Sequence, residues 1–315
     1  VIGGQTADVQ RIRVLCPPRL TPQILGVLET EPGLAHLVVL TGVARKPVGD
    51  QLEADLARES VAGVIDRLPD DDDLVVTIEE LTATISVLAD EAEADAPGEG
   101  DDAVVWAEVE SRTDDDSQPT VSYFALLVVA VLLANVGIVT DSSVLVVGSM
   151  VIGPDFGPIS GLTLATIQRR LPLARRALTS LFVGFPIAIA AAFVLTLVAK
   201  HAHGLPASYL AGHNTLTSFA SQPGGWSLIT ALLAGVAGTL SLTSAKASAL
   251  VGVAVSVTTV PAAAAIGAGV AAQHWGEFRG GLGQLLLNLV ALYVAGLVSL
   301  GIRHGARTRR RHAES

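Results

Sequence analysis

The chain has 315 residues and a formal net charge of −10; half of it is hydrophobic, 16% is charged, and its mean hydropathy is +0.54. A soluble domain carries about 25% charged residues, so one water-soluble domain throughout is excluded, and the acidic balance lacks the basic face that nucleic acid requires. The single cysteine, Cys16, excludes an intrachain disulfide; it is compatible with a reducing cytoplasm and reads as a small buried apolar residue.

Most acidic residues precede Pro119, and almost everything beyond it is apolar. This split predicts four parts: a small cytosolic α+β domain over 1–85, an acidic linker over 86–118, a membrane domain over 119–302 and a basic tail over 303–315. The first apolar span begins near Val121, too late and too long for a cleavable leader.

In chain order, 11–16 (RIRVLC) reads as a strand ended by Pro17 and Pro18. Residues 21–31 read as a helix with Thr21 as N-cap and Pro22 at the first helical position. Residues 35–43 and 51–57 read as strands, 58–68 as a second helix and 74–78 as a last strand. The order β-α-β-β-α-β is the split βαβ, or ferredoxin-like, pattern. His36 is a lone histidine in a strand and reads as structural. The acidic stretch 89–118 reads as a solvated linker with some helix, in which Trp106 docks at a membrane surface.

A helix needs about 20 apolar residues to cross the hydrocarbon core. Six stretches qualify: 121–139, 144–166, 177–198, 226–243, 249–271 and 282–302. If they alternate across a bilayer, Arg169, Arg170, Arg175, Arg176, Lys246 and the arginine-rich tail from Arg303 to Arg311 share one side. The other side has Lys200 and Arg279. The positive-inside rule then puts both termini in the cytoplasm of a multi-pass bacterial inner-membrane protein, with the tail against anionic lipid.

Spans two and five are irregular. Span two contains Gly148-Ser149-Met150-Val151-Ile152-Gly153-Pro154-Asp155-Phe156-Gly157-Pro158, which no regular helix accommodates. Span five contains a pattern that runs from Gly252 through Ser256, Thr258 and Thr259 to Pro261. Each pattern reaches a proline about ten residues after a glycine, which suggests a 3+3 inverted repeat with a broken helix in each half. Such breaks mark a site for a solute or ion near the bilayer midplane. Asp155 is the sharpest candidate, because an acid at the centre of a span costs about 2.5–3.5 kcal/mol on insertion scales; its structural alternative is to cap the second half-helix. Ser149, Gly153, Pro154, Gly157 and Pro158 from the first break, with Thr258, Thr259 and Pro261 from the second, complete the candidate substrate or ion site. The serine and threonine hydroxyls serve equally well as helix–helix contacts. Lys246 reads as an interfacial residue, and His201, His203 and His213 lack the acidic or cysteine partners of a metal site.

The stretch Val147–Ile159 (VGSMVIGPDFGPI) resembles a motif of an uncharacterised bacterial and archaeal membrane family, catalogued as a conserved hydrophobic domain of unknown function (DUF389-like). Leu250–Pro261 (LVGVAVSVTTVP) resembles its second motif, and Gly49–Leu68 its cytosolic lead; the likeness covers about 35 to 300. Asp155 stands where that pattern usually has an apolar residue, and Ala262 where it usually has a second proline. The resemblance therefore does not carry Asp155 over as a shared coupling residue, and it implies no activity.

The expectation is a transporter or channel for a small solute or ion with a regulatory or assembling cytosolic domain. The alternative is a non-transporting sensor or oligomeric scaffold, whose cytosolic domain binds a small ligand or partner. No nucleophile–base pair, metal motif or nucleotide loop points to an enzyme. Neither a cofactor nor a metal is expected. The expected partners are membrane lipid and further copies of the chain.

Overall fold

The computed structural model describes residues 9–81, 86–96, 106–212, 216–243 and 259–314. The chain forms two compact units, Val1–Val109 with Thr243–Ala245, and Glu110–Leu242 with Lys246–Ser315.

The first unit is built from β1 (Val9–Cys16), α1 (Thr21–Glu29), β2 (Leu34–Arg45), β3 (Val48–Ala57), α2 (Arg58–Arg67), β4 (Val75–Glu80) and α3 (Val87–Asp95). The sheet order is β2-β3-β1-β4, with every neighbouring pair antiparallel. Alternation along β1 explains its two faces. Ile12, Val14 and Cys16 are buried with Leu52, Leu56, Ile24, Leu28, Val61 and Val64. Arg11 and Arg13 fall on the opposite face, where register sets Arg11 beside Asp55 and Glu79 and Arg13 beside Glu53. Arg11 Nε donates to Asp55 at 2.7 Å and Arg13 Nε to Glu53 at 2.9 Å, and Arg13 is 3.3 Å from Glu79. A central strand thus carries two cations whose matching acids come from both flanking strands, which helps fix the register.

Two details correct the sequence expectation. Thr21 is not the N-cap of α1: Leu20 holds that position, and the Thr21 hydroxyl donates to Asp50 at 2.6 Å. Helix α1 also stops at Glu29 rather than Glu31, because Pro32 disfavours helix in the residue before it. Within the acidic stretch, α3 buries Ala89 and Ala92 with Val9 and Ala35, and Trp106 is buried rather than exposed.

The second unit holds the C-terminal part of α4 (Trp106–Asp116), then α5 (Val121–Val139), α6 (Ser143–Ile152), α7 (Phe156–Gln168), α8 (Leu171–His201), the short α9 (Ala207–Leu210), α10 (Gly225–Thr243), α11 (Val260–Ala272) and α12 (Trp275–Glu314). Among the described residues four helices are long and apolar enough to cross a membrane: α5, α8, α10 over Gly225–Leu242 and α12 over Trp275–Arg303. Helices α6 and α7 qualify as a pair but bend by 50°, giving up to five spans. The sixth expected stretch is represented by the 13-residue α11, and 249–258 lie outside the described residues. These helices define a membrane-type protein by length and composition.

Packing centres on α11, in which every residue except Val270 is buried. Its alanines face α5, α8 and α12, and the shared core includes Leu127, Val131, Phe185, Ala188, Ala192 and Leu292. Small side chains allow this closeness, as expected where no hydrophobic force separates helix from lipid.

Candidate functional site

Helix α6 ends at Ile152 because Pro154 has no N–H to continue it. Gly153 takes an extended conformation (φ −65°, ψ 123°), and α7 starts at Phe156 in a new direction. Gly157 is required at that restart. A Cβ there would lie 2.3 Å from the Asp116 carbonyl oxygen, so only glycine lets the chain entering α5 pass this close. The Ser117 hydroxyl lies 2.6 Å from the Thr113 carbonyl and 3.1 Å from the Gly157 carbonyl, and the Ser180 hydroxyl donates to the Ser117 carbonyl at 2.9 Å. Desolvation by the neighbouring chain, followed by the Asp115 charge, pushes the Asp116 carboxyl pKa up.

Asp155 occupies the N-cap position of α7, but its side chain does not cap that helix. Instead its carboxylate accepts a hydrogen bond from the Thr259 hydroxyl, 104 residues away. Thr259 is the N-cap of α11, immediately before Val260 and Pro261. Both residues are fully inaccessible to solvent. The two irregular segments, distant in sequence, therefore meet through one buried acid and one buried hydroxyl.

Tyr123, on the first turn of α5, is only 5% exposed, and among the described residues its hydroxyl has no hydrogen-bond partner. The tyrosine ring lies against Gly184 of α8. At 1.5 Å per residue, Gly184 is about 12 Å along α8 from Arg176 and about 24 Å from Lys200. Gly184 and the Tyr123 ring are thus inside the apolar length of the unit, about 6 Å from its middle on the side that carries the arginines.

The other sequence candidates are placed as follows. Ser149 is fully buried, but its hydroxyl donates to Val146 of its own helix at 2.5 Å, so it packs rather than reaching the cluster. Gly153 and Pro154 make the break, Pro158 is buried in the first turn of α7, and Pro261 is buried at the start of α11. Thr258, Gly252, Ser256, Lys246 and His213 lie outside the described residues. His201 turns its Nδ1 to the Leu197 carbonyl at 2.8 Å. Among the described residues no group of three His, Cys, Asp or Glu could hold a metal.

Sequence reasoning missed Tyr123, which stands at a span end where aromatic residues are ordinary. It also missed a second buried polar pair: the Thr196 hydroxyl of α8 donates to Asn135 Oδ1 of α5 at 3.0 Å, and Asn135 Nδ2 has no partner among the described residues. A lone asparagine inside an apolar span was the available signal. At the opposite end, the Tyr209 hydroxyl donates to Glu277 at 3.1 Å, with His274 3.5 Å from the same carboxylate. A cavity of about 10 Å³, room for one water, is lined by Phe156, Ser160, Thr163, Thr239, Leu292 and Gly296, among others.

The fold and the site define a helical, membrane-type protein with an acid buried at a helix break. Residues 150–294 match a family described as "Domain of unknown function (DUF389)". That stretch contains both Asp155 and Thr259, and it agrees with the resemblance read from the two motifs. The chain is also similar to "Uncharacterized protein MJ0678" of Methanocaldococcus jannaschii, at 26% identity over 224 residues. This similarity covers 71% of the chain and 66% of the archaeal protein, so part of that relative has no counterpart in the match. No solved structure matches the chain.

Proposed function

We propose that this protein moves a small solute or ion across a cell membrane through a site at the helix break. The observation that carries this reading is the buried Asp155–Thr259 contact, which brings the two irregular segments together. A carboxylate is expensive inside an apolar bundle, and discontinuous helices meeting at such a group are the recurring form of a transport site. With the α6–α7 pair as span two and α11 as the end of span five, the chain has six spans in two halves of inverted topology. The meeting of Asp155 from one half with Thr259 from the other supports that symmetry. Arg170 near Glu110 at 3.8 Å and Arg176 paired with Asp114 at 3.1 Å support a basic end, which the positive-inside rule makes cytoplasmic together with both termini. The ferredoxin-like unit then regulates or assembles the protein from the cytosol, and copies associate through exposed apolar helix faces.

One observation favours a second reading. Asp155 and Thr259 are both sealed from solvent, as they would be in a non-transporting sensor or scaffold. Under the transport reading, the same sealing is an occluded state of an alternating cycle.

The test is flux. The full chain is reconstituted in liposomes, and uptake of a panel of ions, sugars, amino acids and organic acids is followed. Uptake of at least one solute, reduced at least tenfold by Asp155→Asn, is expected. Absence of uptake for the whole panel, with and without an imposed pH or sodium gradient, would refute transport and leave the scaffold.

A further inference from the structure

We propose that β2, a free edge of the soluble sheet, pairs antiparallel with β2 of a second copy about a two-fold axis at Val38, joining two four-stranded sheets into one. The inference rests on reading the soluble unit as the part that assembles the protein, and it names the surface that does so. It is independent of transport.

The two edges of the sheet are unlike. Alternate residues of an edge strand turn their N–H and C=O groups away from the sheet, and native proteins blunt such edges with charge, proline or short length. The edge strand β4 is blunted: it has six residues, ends in Glu79 and Glu80 and follows the acidic run Asp70–Asp73. At the other edge, β2 has 12 residues and no Asp, Glu, Lys, Arg or Pro between Leu34 and Ala44. Val38, Val39 and Leu40 are exposed. Among the described residues, 37–41 make no hydrogen bond outside the sheet.

The irregularities of β2 set the register. Its pairing with β3 shifts between Leu34 and His36 and again between Leu40 and Ala44, and such irregularities end a pairable stretch. The regular run left is His36 to Leu40, centred on Val38. A second copy laid antiparallel on this run sets Val38 opposite itself, Leu37 opposite Val39 and His36 opposite Leu40. The Ser86 Oγ lies 3.4 Å from His36 Nε2, so the exposed Val87 and Leu88 of α3 begin beside His36 and extend the apolar surface toward the partner's Leu40.

Charge selects the occupant. The chain approaches β2 past the exposed Glu29 and leaves it through the exposed Arg45 and Lys46, and none of these three has an ion pair among the described residues. Glu31, by contrast, is held by Arg67. Glu29 precedes Val38 by nine residues, and Arg45 and Lys46 follow it by seven and eight. The axis that centres the regular run therefore also brings the basic end of each strand to the acidic end of the other. A bilayer would meet Arg45 and Lys46 but would leave the N–H and C=O groups of the edge unpaired, which lipid does not tolerate.

The test is disulfide linking of the full chain in liposomes under mild oxidant. The native Cys16 is buried, and the wild type serves as the blank. Val38→Cys should link into dimers roughly tenfold faster than Val48→Cys, because opposed antiparallel residues have Cα atoms about 4.5–5.5 Å apart, inside the disulfide range. Val48 is exposed but lies beyond the regular run. Glu29→Lys should slow the linking about threefold, the scale of an exposed ion pair, and adding Lys46→Glu should restore it. Equal rates for Val38→Cys and Val48→Cys would overturn the proposal, as would a Glu29→Lys effect that Lys46→Glu leaves uncorrected. Protection of Val38→Cys from a water-soluble maleimide without linking would also overturn it, since a bilayer or another protein would then cover the edge. A chain that is oligomeric by light scattering but unlinked at Val38→Cys refutes this surface and leaves assembly standing, whereas a monomer refutes both.

Discussion

Replacing Gly267 by alanine probes the contact on which the helical unit is built. A Cβ at Gly267 would lie 2.7 Å from Ala192 Cβ, 2.7 Å from the Ile189 carbonyl oxygen and 2.8 Å from the Phe193 nitrogen. Two of these three are backbone atoms of α8, so no side-chain rotation relieves them. Carbon contacts settle at about 3.5–4.0 Å, so α8 and α11 must part by nearly an ångström. Overpacking of this kind costs about 1–3 kcal/mol. Removing a glycine from a helix interior returns about 0.5–1 kcal/mol. Gly148→Ala is the matching control, since nothing among the described residues lies within 4 Å of a Cβ placed there. The helix-propensity gain is common to both variants, so the difference between them isolates the clash, about 1–3 kcal/mol. Thermal unfolding of the full chain in one detergent should rank Gly148→Ala at or above the wild type and Gly267→Ala below it. Equal midpoints for the two variants would refute the close approach of α8 and α11.

Two further expectations follow from the same packing and electrostatics. Thr196→Val leaves Asn135 without its buried partner and should cost about 0.6–1.7 kcal/mol, the range for hydrogen bonds between membrane helices; a double-mutant cycle with Asn135→Leu measures it, and a coupling indistinguishable from zero would refute the pair. In the soluble unit, the Thr21 hydroxyl and then the Gly42 amide hold the Asp50 carboxyl below its usual pKa. A depressed pKa in the folded state contributes stability that is complete above the unfolded value and is lost as pH falls through the folded one. Hydrogen exchange at Gly42 should therefore stay protected through mildly acidic pH and open below it. Asp50→Asn should abolish that pH dependence, and an unchanged acid profile in the variant would count against the assignment.

Much of this architecture was legible in the residues. The period-two pattern of 51–57 announced β3, Pro17 and Pro18 announced the end of β1, and the Gly153-Pro154 pair announced a break where α6 ends. What was not legible depended on distant partners. The cap expected of Thr21 failed because Asp50, from a different strand, captures its hydroxyl. The partner of the Ser149 hydroxyl, read equally as a ligand group or a helix contact, is a carbonyl three residues back in its own helix. Tyr123 was passed over because a tyrosine at a span end is ordinary, and only its neighbours make it unusual.

By itself, the sequence determined the local and one-dimensional properties: the change from acidic to apolar composition, the order of strands and helices, and the positions where proline and glycine interrupt a span. These follow from backbone sterics and from the partition of side chains between water and an apolar phase, which each segment settles alone. Only the tertiary structure decided which interruptions meet. The pairing of Asp155 with Thr259 and the seating of Tyr123 against Gly184 arise from how α5, α7, α8 and α11 pack, through contacts between residues that are far apart in the chain and that no local pattern records.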